Sequence, residues 1–193
     1  FVWVSWCVFL ATARFGRLQS TALLPSAGLP QATTVEGVVN LDSVWQGLLH
    51  GVSQVFFQEN LWTGALFLAG LLLASRKAAV LAVLGSLSGL LLAWALGAAE
   101  PAIHAGAFGF NSVQVAIALQ GVFLPQAGIT GWRSACYTAL ALLATPLVLA
   151  ALSAALQPLG LPAMTMPFVL VVWLFLLARP AFGFACAAQP AKP

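Results

Sequence analysis

The chain has 193 residues, of which 62% are hydrophobic and only 6% charged, and its formal net charge is +3. An ordinary soluble domain is about 25% charged, so this composition excludes a soluble globular enzyme and indicates an integral membrane protein. A spanning helix needs about 20 apolar residues, which leaves room for five or six crossings, and without a basic cluster we expect no nucleic-acid partner.

The chain opens with an apolar run, residues 1–13, that is followed by Arg14 and Arg17. The run is too short to cross a bilayer alone, and no positively charged region precedes it, so a signal peptide is not indicated. We interpret residues 1–17 as the end of a transmembrane helix. Residues 18–42 are polar and contain two prolines, which predicts a connector outside the hydrocarbon.

An internal repeat relates the two ends of the chain. When residues 168–183 are placed on residues 1–16, eight of the sixteen aligned positions are identical. These positions are Phe168, Val169, Val171, Trp173, Leu177, Ala178, Phe182 and Gly183. We interpret the chain as part of a duplicated membrane protein. Residues 1–17 then close a first repeat that is otherwise missing from this chain, residues 43–183 form the second, and residues 184–193 form a C-terminal tail. The alternative is a chance match between two unrelated apolar helices.

Six apolar segments follow one another in the second repeat. They cover residues 43–58, 61–75, 78–99, 112–124, 132–156 and 164–178. The first has one polar helical face, because Gln46, His50, Gln54 and Gln58 recur at spacings of four. Several segments are too short to cross, and Pro146 interrupts the fifth. Short or broken segments in a duplicated protein predict a binding site near the bilayer midplane.

The glycines, charged residues, cysteines and histidines tell less about function than the apolar segments do. Within residues 78–99, small residues such as Gly85 and Gly89 predict close helix packing. Charged residues adjoin several segment ends, and we interpret them as lying at the membrane interface. They are Glu59, Arg76, Lys77 and Glu100. Three cysteines, Cys7, Cys136 and Cys186, are widely spaced and predict neither disulfides nor a zinc site. His50 and His104 are distant in sequence, so we expect no metal or proton-relay role for them, and no cofactor.

Three stretches together resemble the urea transporter family, in its bacterial form. They are GVSQVFFQENLWTG at 51–64, GAFGFNSVQVAIAL at 106–119 and LPAMTMPFVLVVWLFL at 161–176. The resemblance implies an all-α polytopic fold that is one half of an inverted-repeat channel, with five transmembrane helices plus a re-entrant pore helix. It also implies passive conduction of urea, a homotrimer and a location in the bacterial inner membrane, and it implies a transporter and not an enzyme.

The resemblance also implies roles for individual residues. The QVxF motif matches Gln54, Val55 and Phe57, which line one mouth of the selectivity filter in the family. The aromatic-Asn motif places Phe110 on the opposite wall, and the LPxxTxPF motif places Thr165 at the constricted centre.

One position departs from the family pattern. Gln114 stands where the family usually has Leu, which puts the apolar wall of the filter in question. Uncharged amides and hydroxyls suit a pore for a neutral solute, because they donate and accept hydrogen bonds without attracting ions. The alternative is a non-conducting, half-length homologue that acts as an interaction subunit.

Overall fold

The computed structural model describes residues 2–12 and 40–182, and every regular element in these two ranges is a helix. The helices are α1 (Val2–Thr12), α2 (Leu41–Ser53), α3 (Leu61–Ala74), α4 (Arg76–Ala95), α5 (Glu100–His104), α6 (Gly109–Ala116), α7 (Leu124–Gln126), α8 (Gly131–Leu156) and α9 (Met166–Ala178). Most of the predicted connector 18–42 and the tail 184–193 lie outside the described residues, as do Arg14, Arg17 and Cys186.

A sharp break separates α2 from α3. Helix α2 together with the 3-10 turn that continues it, Leu41–Phe56, meets α3 at an angle of 76° across a break of at most four residues. Phe57 ends the 3-10 turn Gln54–Phe56 in the left-handed region, with φ 57°. Asn60 then caps α3, because its side-chain oxygen accepts from the amides of Trp62 at 2.9 Å and Thr63 at 3.2 Å. The break predicted at Glu59 and Asn60 is confirmed.

The bounds of α4 differ from the predicted segment 78–99. The sequence places Arg76 and Lys77 outside the predicted segment, as charged residues that end the preceding apolar run. They instead form the first turn, because the Ser75 hydroxyl accepts from the Ala78 amide at 3.3 Å and so fixes the start. The helix also ends earlier, before Gly97, whose φ of 80° leads towards α5, a short helix that was not predicted.

Helices α4 and α6 pack with their backbones in close contact. A Cβ atom at Gly85 would lie 2.7 Å from the Ser112 carbonyl oxygen, and one at Gly89 would lie 2.2 Å from that of Phe108. Both distances are far shorter than a carbon can approach an oxygen, so only glycine fits. The predicted packing through small residues is confirmed.

Gly89→Ala is therefore expected to lower the stability of the folded protein by about 1–3 kcal/mol, the usual range for overpacking. The matched control is Gly70→Ala in α3, where an added Cβ meets nothing within 4 Å. That exchange is expected to leave stability unchanged or raise it by about 0.5–1 kcal/mol, since alanine favours the helix. Thermal unfolding of both variants in detergent measures the difference. Equal melting temperatures would show that α4 and α6 do not pack this closely.

The second half of the chain folds around an apolar cluster. α6 continues through a π-helical segment, Ile117–Phe123, into α7. Its buried side chains pack against α8 and α9. Contrary to the expectation of an interruption at Pro146, α8 runs without a break from Gly131 to Leu156. A hydrogen bond from the Thr145 hydroxyl to the Ala141 carbonyl, 2.7 Å, lies in the turn before the proline.

Helix α1, the described part of the predicted remnant 1–17, packs against the segment between α8 and α9. Val2 and Trp6 are buried in a cluster with Leu161 and Met166. The Trp6 indole N–H donates to the Pro162 carbonyl at 2.9 Å. The end of the predicted first repeat thus contacts the LPxxTxPF segment of the second.

Three stretches among the described residues are long and apolar enough to cross a membrane: Arg76–Ala95, Glu100–Gln126 and Gly131–Leu159. The bent pair α2–α3 is a fourth candidate, as a broken span or a re-entrant loop, and Met166–Ala181 is a shorter apolar helix. The fold is therefore all-α and polytopic, as predicted. The count of five transmembrane helices plus a re-entrant helix stays a prediction.

Candidate functional site

The QVxF segment lies at the break after α2. The Gln54 side-chain amide donates to the Ala105 carbonyl at 3.3 Å, which ties this segment to the loop between α5 and α6. Val55 is half-buried and borders an apolar cavity of about 310 Å³ between α2, α3 and α6. Phe56 and Phe57 are about equally exposed, at 54% and 53%.

The two phenylalanines differ in what holds them. The Phe56 ring stacks on the Phe67 ring of α3, with the centroids 4.0 Å apart and the planes 13° apart. Phe57 has no such ring contact among the described residues, and its left-handed backbone is unfavourable for a bulky side chain. A non-glycine residue held in this region often lies at a functional site.

The start of α6 is fixed by Asn111, which is fully buried. Its side-chain amide N–H donates to the Met164 carbonyl at 3.1 Å, and its side-chain oxygen accepts from the Phe168 amide at 3.1 Å. These two bonds hold the LPxxTxPF segment on both sides of Thr165. The aromatic-Asn motif contains Asn111, but no role was predicted for its side chain. The sequence signal for such a role is the position of this amide directly after Phe110.

Thr165 is half-buried and follows Met164, which has a left-handed backbone with φ 52°. Phe110, next to Asn111, is also half-buried. The Asn111 bonds place the backbone of the Thr165 segment beside the start of α6.

Gln114 lies one turn after Phe110 on α6. Its side-chain oxygen is buried and accepts no hydrogen bond from any described residue. An unpaired buried acceptor costs about 1–3 kcal/mol.

Close backbone contact brings α2 and α6 together at this end. A Cβ atom at Gly109 would lie 3.0 Å from the Gly51 Cα, and one at Gly106 would lie 2.3 Å from the Gly51 amide nitrogen. Together with the bonds of Gln54 and Asn111, this contact gathers all three motif segments around the start of α6. The sequence motifs are about fifty residues apart in the chain, and the fold joins them.

The structure also joins two histidines that are separated by 54 positions in sequence. A ring N–H of His50 donates to the His104 carbonyl at 2.7 Å, and the two rings meet edge to face with centroids 5.4 Å apart. Because the two histidines are distant in sequence, this contact was not predicted. The one available signal was the polar helical face that carries His50.

The helical spans, the broken α2–α3 pair and the convergence of uncharged polar and aromatic side chains define a multi-pass membrane protein with a polar site among its helices. The family model described as "Urea transporter" matches residues 1–180. The chain belongs to the urea transporter family.

Curated relatives agree with this assignment. The chain is 33% identical over 158 residues to "Urea transporter 1" of Ovis aries and to the protein of the same name of Capra hircus. It is 32% identical over 158 residues to "Urea transporter 1" of Rattus norvegicus. Each match covers 82% of this chain and 40% of the relative, so the chain spans about two fifths of the length of these relatives.

Proposed function

We propose that the full-length protein is a channel-type transporter that conducts urea passively across the membrane, and that this chain lines one side of its pore. The observation that carries the proposal is the convergence of the three motif segments around the start of α6, held by the hydrogen bonds of Gln54 and Asn111. The family assignment and the relatives named urea transporters support the choice of solute.

The chemistry of urea fits these residues. Urea is flat and neutral, with one carbonyl acceptor and four N–H donors. The Gln114 oxygen can accept from a urea N–H, the Gln54 amide can donate to the carbonyl, and the Thr165 hydroxyl can do either. Each group is uncharged, so solutes are bound weakly enough to leave again and ions are not attracted.

The aromatic residues complete the proposed filter. Phe57 and Phe110 form the two walls of a slot that admits a flat solute and excludes a hydrated ion, with Val55 at the mouth. Phe57 suits this role because no ring of the described part of the chain stacks on it, whereas Phe67 stacks on Phe56. The wider assignments, namely a second inverted repeat, a homotrimer and a bacterial inner membrane, remain part of the proposal.

Phe57→Ala tests the filter directly, with Phe56→Ala as the matched control. The two residues are adjacent, identical in type and equally exposed. In liposomes containing the full-length protein, Phe57→Ala is expected to lower the ratio of urea to glycerol permeability by about two- to tenfold, since an aromatic contact contributes about 0.5–1.5 kcal/mol. Phe56→Ala is expected to keep the ratio and to lose some thermal stability instead. Stopped-flow light scattering measures both permeabilities.

Two results would contradict the proposal. If both variants keep the wild-type ratio, Phe57 is no part of a filter. If the wild-type protein conducts urea no faster than empty liposomes do, the protein is no channel, and the non-conducting interaction subunit becomes the better hypothesis.

A further inference from the structure

Two histidines and a glutamate lie together beside the QVxF segment. One ligand atom from each of His50, His104 and Glu59 lies within 4.8 Å of the other two. His50 is buried, His104 is half-buried and Glu59 is exposed, so the cluster reaches from the interior to the surface. Two imidazoles and one carboxylate are a donor set that suits Zn²⁺ and related divalent first-row metals.

The hydrogen bonds of the histidines fix which ring nitrogens can bind a metal. The His104 carbonyl can only accept, so the His50 Nδ1 that contacts it at 2.7 Å carries the proton and Nε2 keeps a lone pair. The His104 Nε2 contacts the Gln46 side-chain oxygen at 2.7 Å and donates to it, which leaves Nδ1 with the lone pair. Metal-binding histidines characteristically donate their second N–H to a backbone carbonyl or another oxygen in this way.

The three ligand atoms must move somewhat closer together to bind one metal ion, and the exposed Glu59 is the member of the cluster that moves most easily. Ligand atoms around a tetrahedral Zn²⁺ lie about 3.3 Å apart, given bonds of about 2.0–2.1 Å. Glu59 lies in the non-helical turn before α3, and its carboxylate forms no hydrogen bond with any other described residue. All three separations are 4.8 Å or less, so closure requires only small shifts of the side chains, of which Glu59 is the most exposed.

The cluster adjoins the proposed mouth of the pore on two sides. His50 lies one helical turn before Gln54, and Glu59 lies two residues after Phe57. The Gln54 amide donates to the carbonyl of Ala105, which directly follows His104. An ion at the cluster would therefore restrain the QVxF segment and place positive charge beside the entrance.

We propose that His50, His104 and Glu59 bind one divalent transition-metal ion of the Zn²⁺ class, with water completing the coordination, and that the bound ion slows solute entry. The second part rests on the proposed function, whereas the first part stands without it. The two parts are therefore tested by separate measurements.

Metal binding is tested on the full-length protein with all cysteines replaced by serine, so that thiols cannot bind the probe. Titration with Zn²⁺ alone in a calorimeter is expected to show one ion per chain. Glu59→Gln is expected to weaken binding at least about tenfold, and His104→Gln should do the same. Asp42→Asn is the matched carboxylate control, since Asp42 is exposed and bonded to Trp45 instead, and it should bind as the parent does. Absent binding, or equal affinity of Glu59→Gln and Asp42→Asn, would overturn the site.

Urea flux into liposomes tests the second part on the same proteins. Zn²⁺ is expected to slow flux in the cysteine-free parent and in Asp42→Asn but not in Glu59→Gln. Binding in the calorimeter without slower flux would overturn the link to the pore. If the metal-free parent conducts no urea, the proposed function fails, and calorimetry still decides whether the metal site exists.

Discussion

Asn111→Leu is expected to destabilise the protein by about 2–6 kcal/mol, because it removes two hydrogen bonds at once and each buried group left unpaired costs about 1–3 kcal/mol. Leucine has the same branching and the same number of side-chain heavy atoms as asparagine, but it leaves the Met164 carbonyl and the Phe168 amide without their partner. Asn111 is fully buried, so bulk water does not reach these groups to replace it. The Thr165 segment between those two groups should then lose its fixed position, and urea flux should fall as well.

The matched control is Asn60→Leu, which likewise removes two side-chain hydrogen bonds. The Asn60 oxygen accepts both of them from backbone amides. These bonds cap α3 at an exposed position, where water can replace the lost partner. The expected cost is therefore about 1 kcal/mol, the usual value for an N-cap. Thermal or denaturant unfolding in detergent compares the two variants, and a loss at Asn111 no larger than that at Asn60 would contradict the role of Asn111.

A second variant at the same position separates the two bonds. In Asn111→Asp, a charged carboxylate can accept from the Phe168 amide but cannot donate to the Met164 carbonyl. A protonated carboxyl group can do both. The stability deficit relative to the wild type should therefore be largest at neutral pH and shrink as the pH falls, because acid restores the missing donor. A deficit that is independent of pH would show that donation to Met164 contributes little.

The sequence predicted those parts of the fold that depend on neighbouring residues. Asn60 followed by an apolar run was enough to place the start of α3, and the glycines of α4 were enough to predict its close packing. The start of α4 could not be predicted, because it depends on the Ser75 cap outweighing two unfavourable cations in the first turn. The π-helical segment after Ile117 has no comparable local signal.

The candidate site was predictable as a set of motifs but not as an arrangement. Gln54, Phe110 and Thr165 were found by resemblance, yet nothing local joins residues about fifty positions apart. Their association depends on tertiary hydrogen bonds such as those of Asn111, and on glycine contacts between α2 and α6. For the same reason, His50 and His104 could not be paired from the sequence. Whether the Gln114 oxygen has a hydrogen-bond partner depends on all the residues packed around it, so no single sequence motif predicts it.

Two glutamines near this site are expected to respond to the same substitution with opposite sign. The Gln114 oxygen is buried without a partner among the described residues, whereas the Gln120 oxygen accepts from the hydroxyls of Ser134 and Thr138 on α8. Gln114→Met removes an unpaired acceptor at nearly constant volume and should raise stability by about 1 kcal/mol. Gln120→Met leaves two buried hydroxyls without their acceptor and should lower stability by about 2–6 kcal/mol, at about 1–3 kcal/mol for each.

Urea flux through the same two variants then connects stability with function. If the Gln114 oxygen accepts from urea, its loss removes one hydrogen bond from the path of the solute, and flux should fall by up to about tenfold, since such a bond contributes about 0.5–1.5 kcal/mol. A variant that is more stable but conducts less would mark Gln114 as a position where stability is given up for solute binding. Unchanged flux in Gln114→Met would place this amide outside the pore, and a loss of stability in both variants would show that its oxygen has a partner in the folded protein.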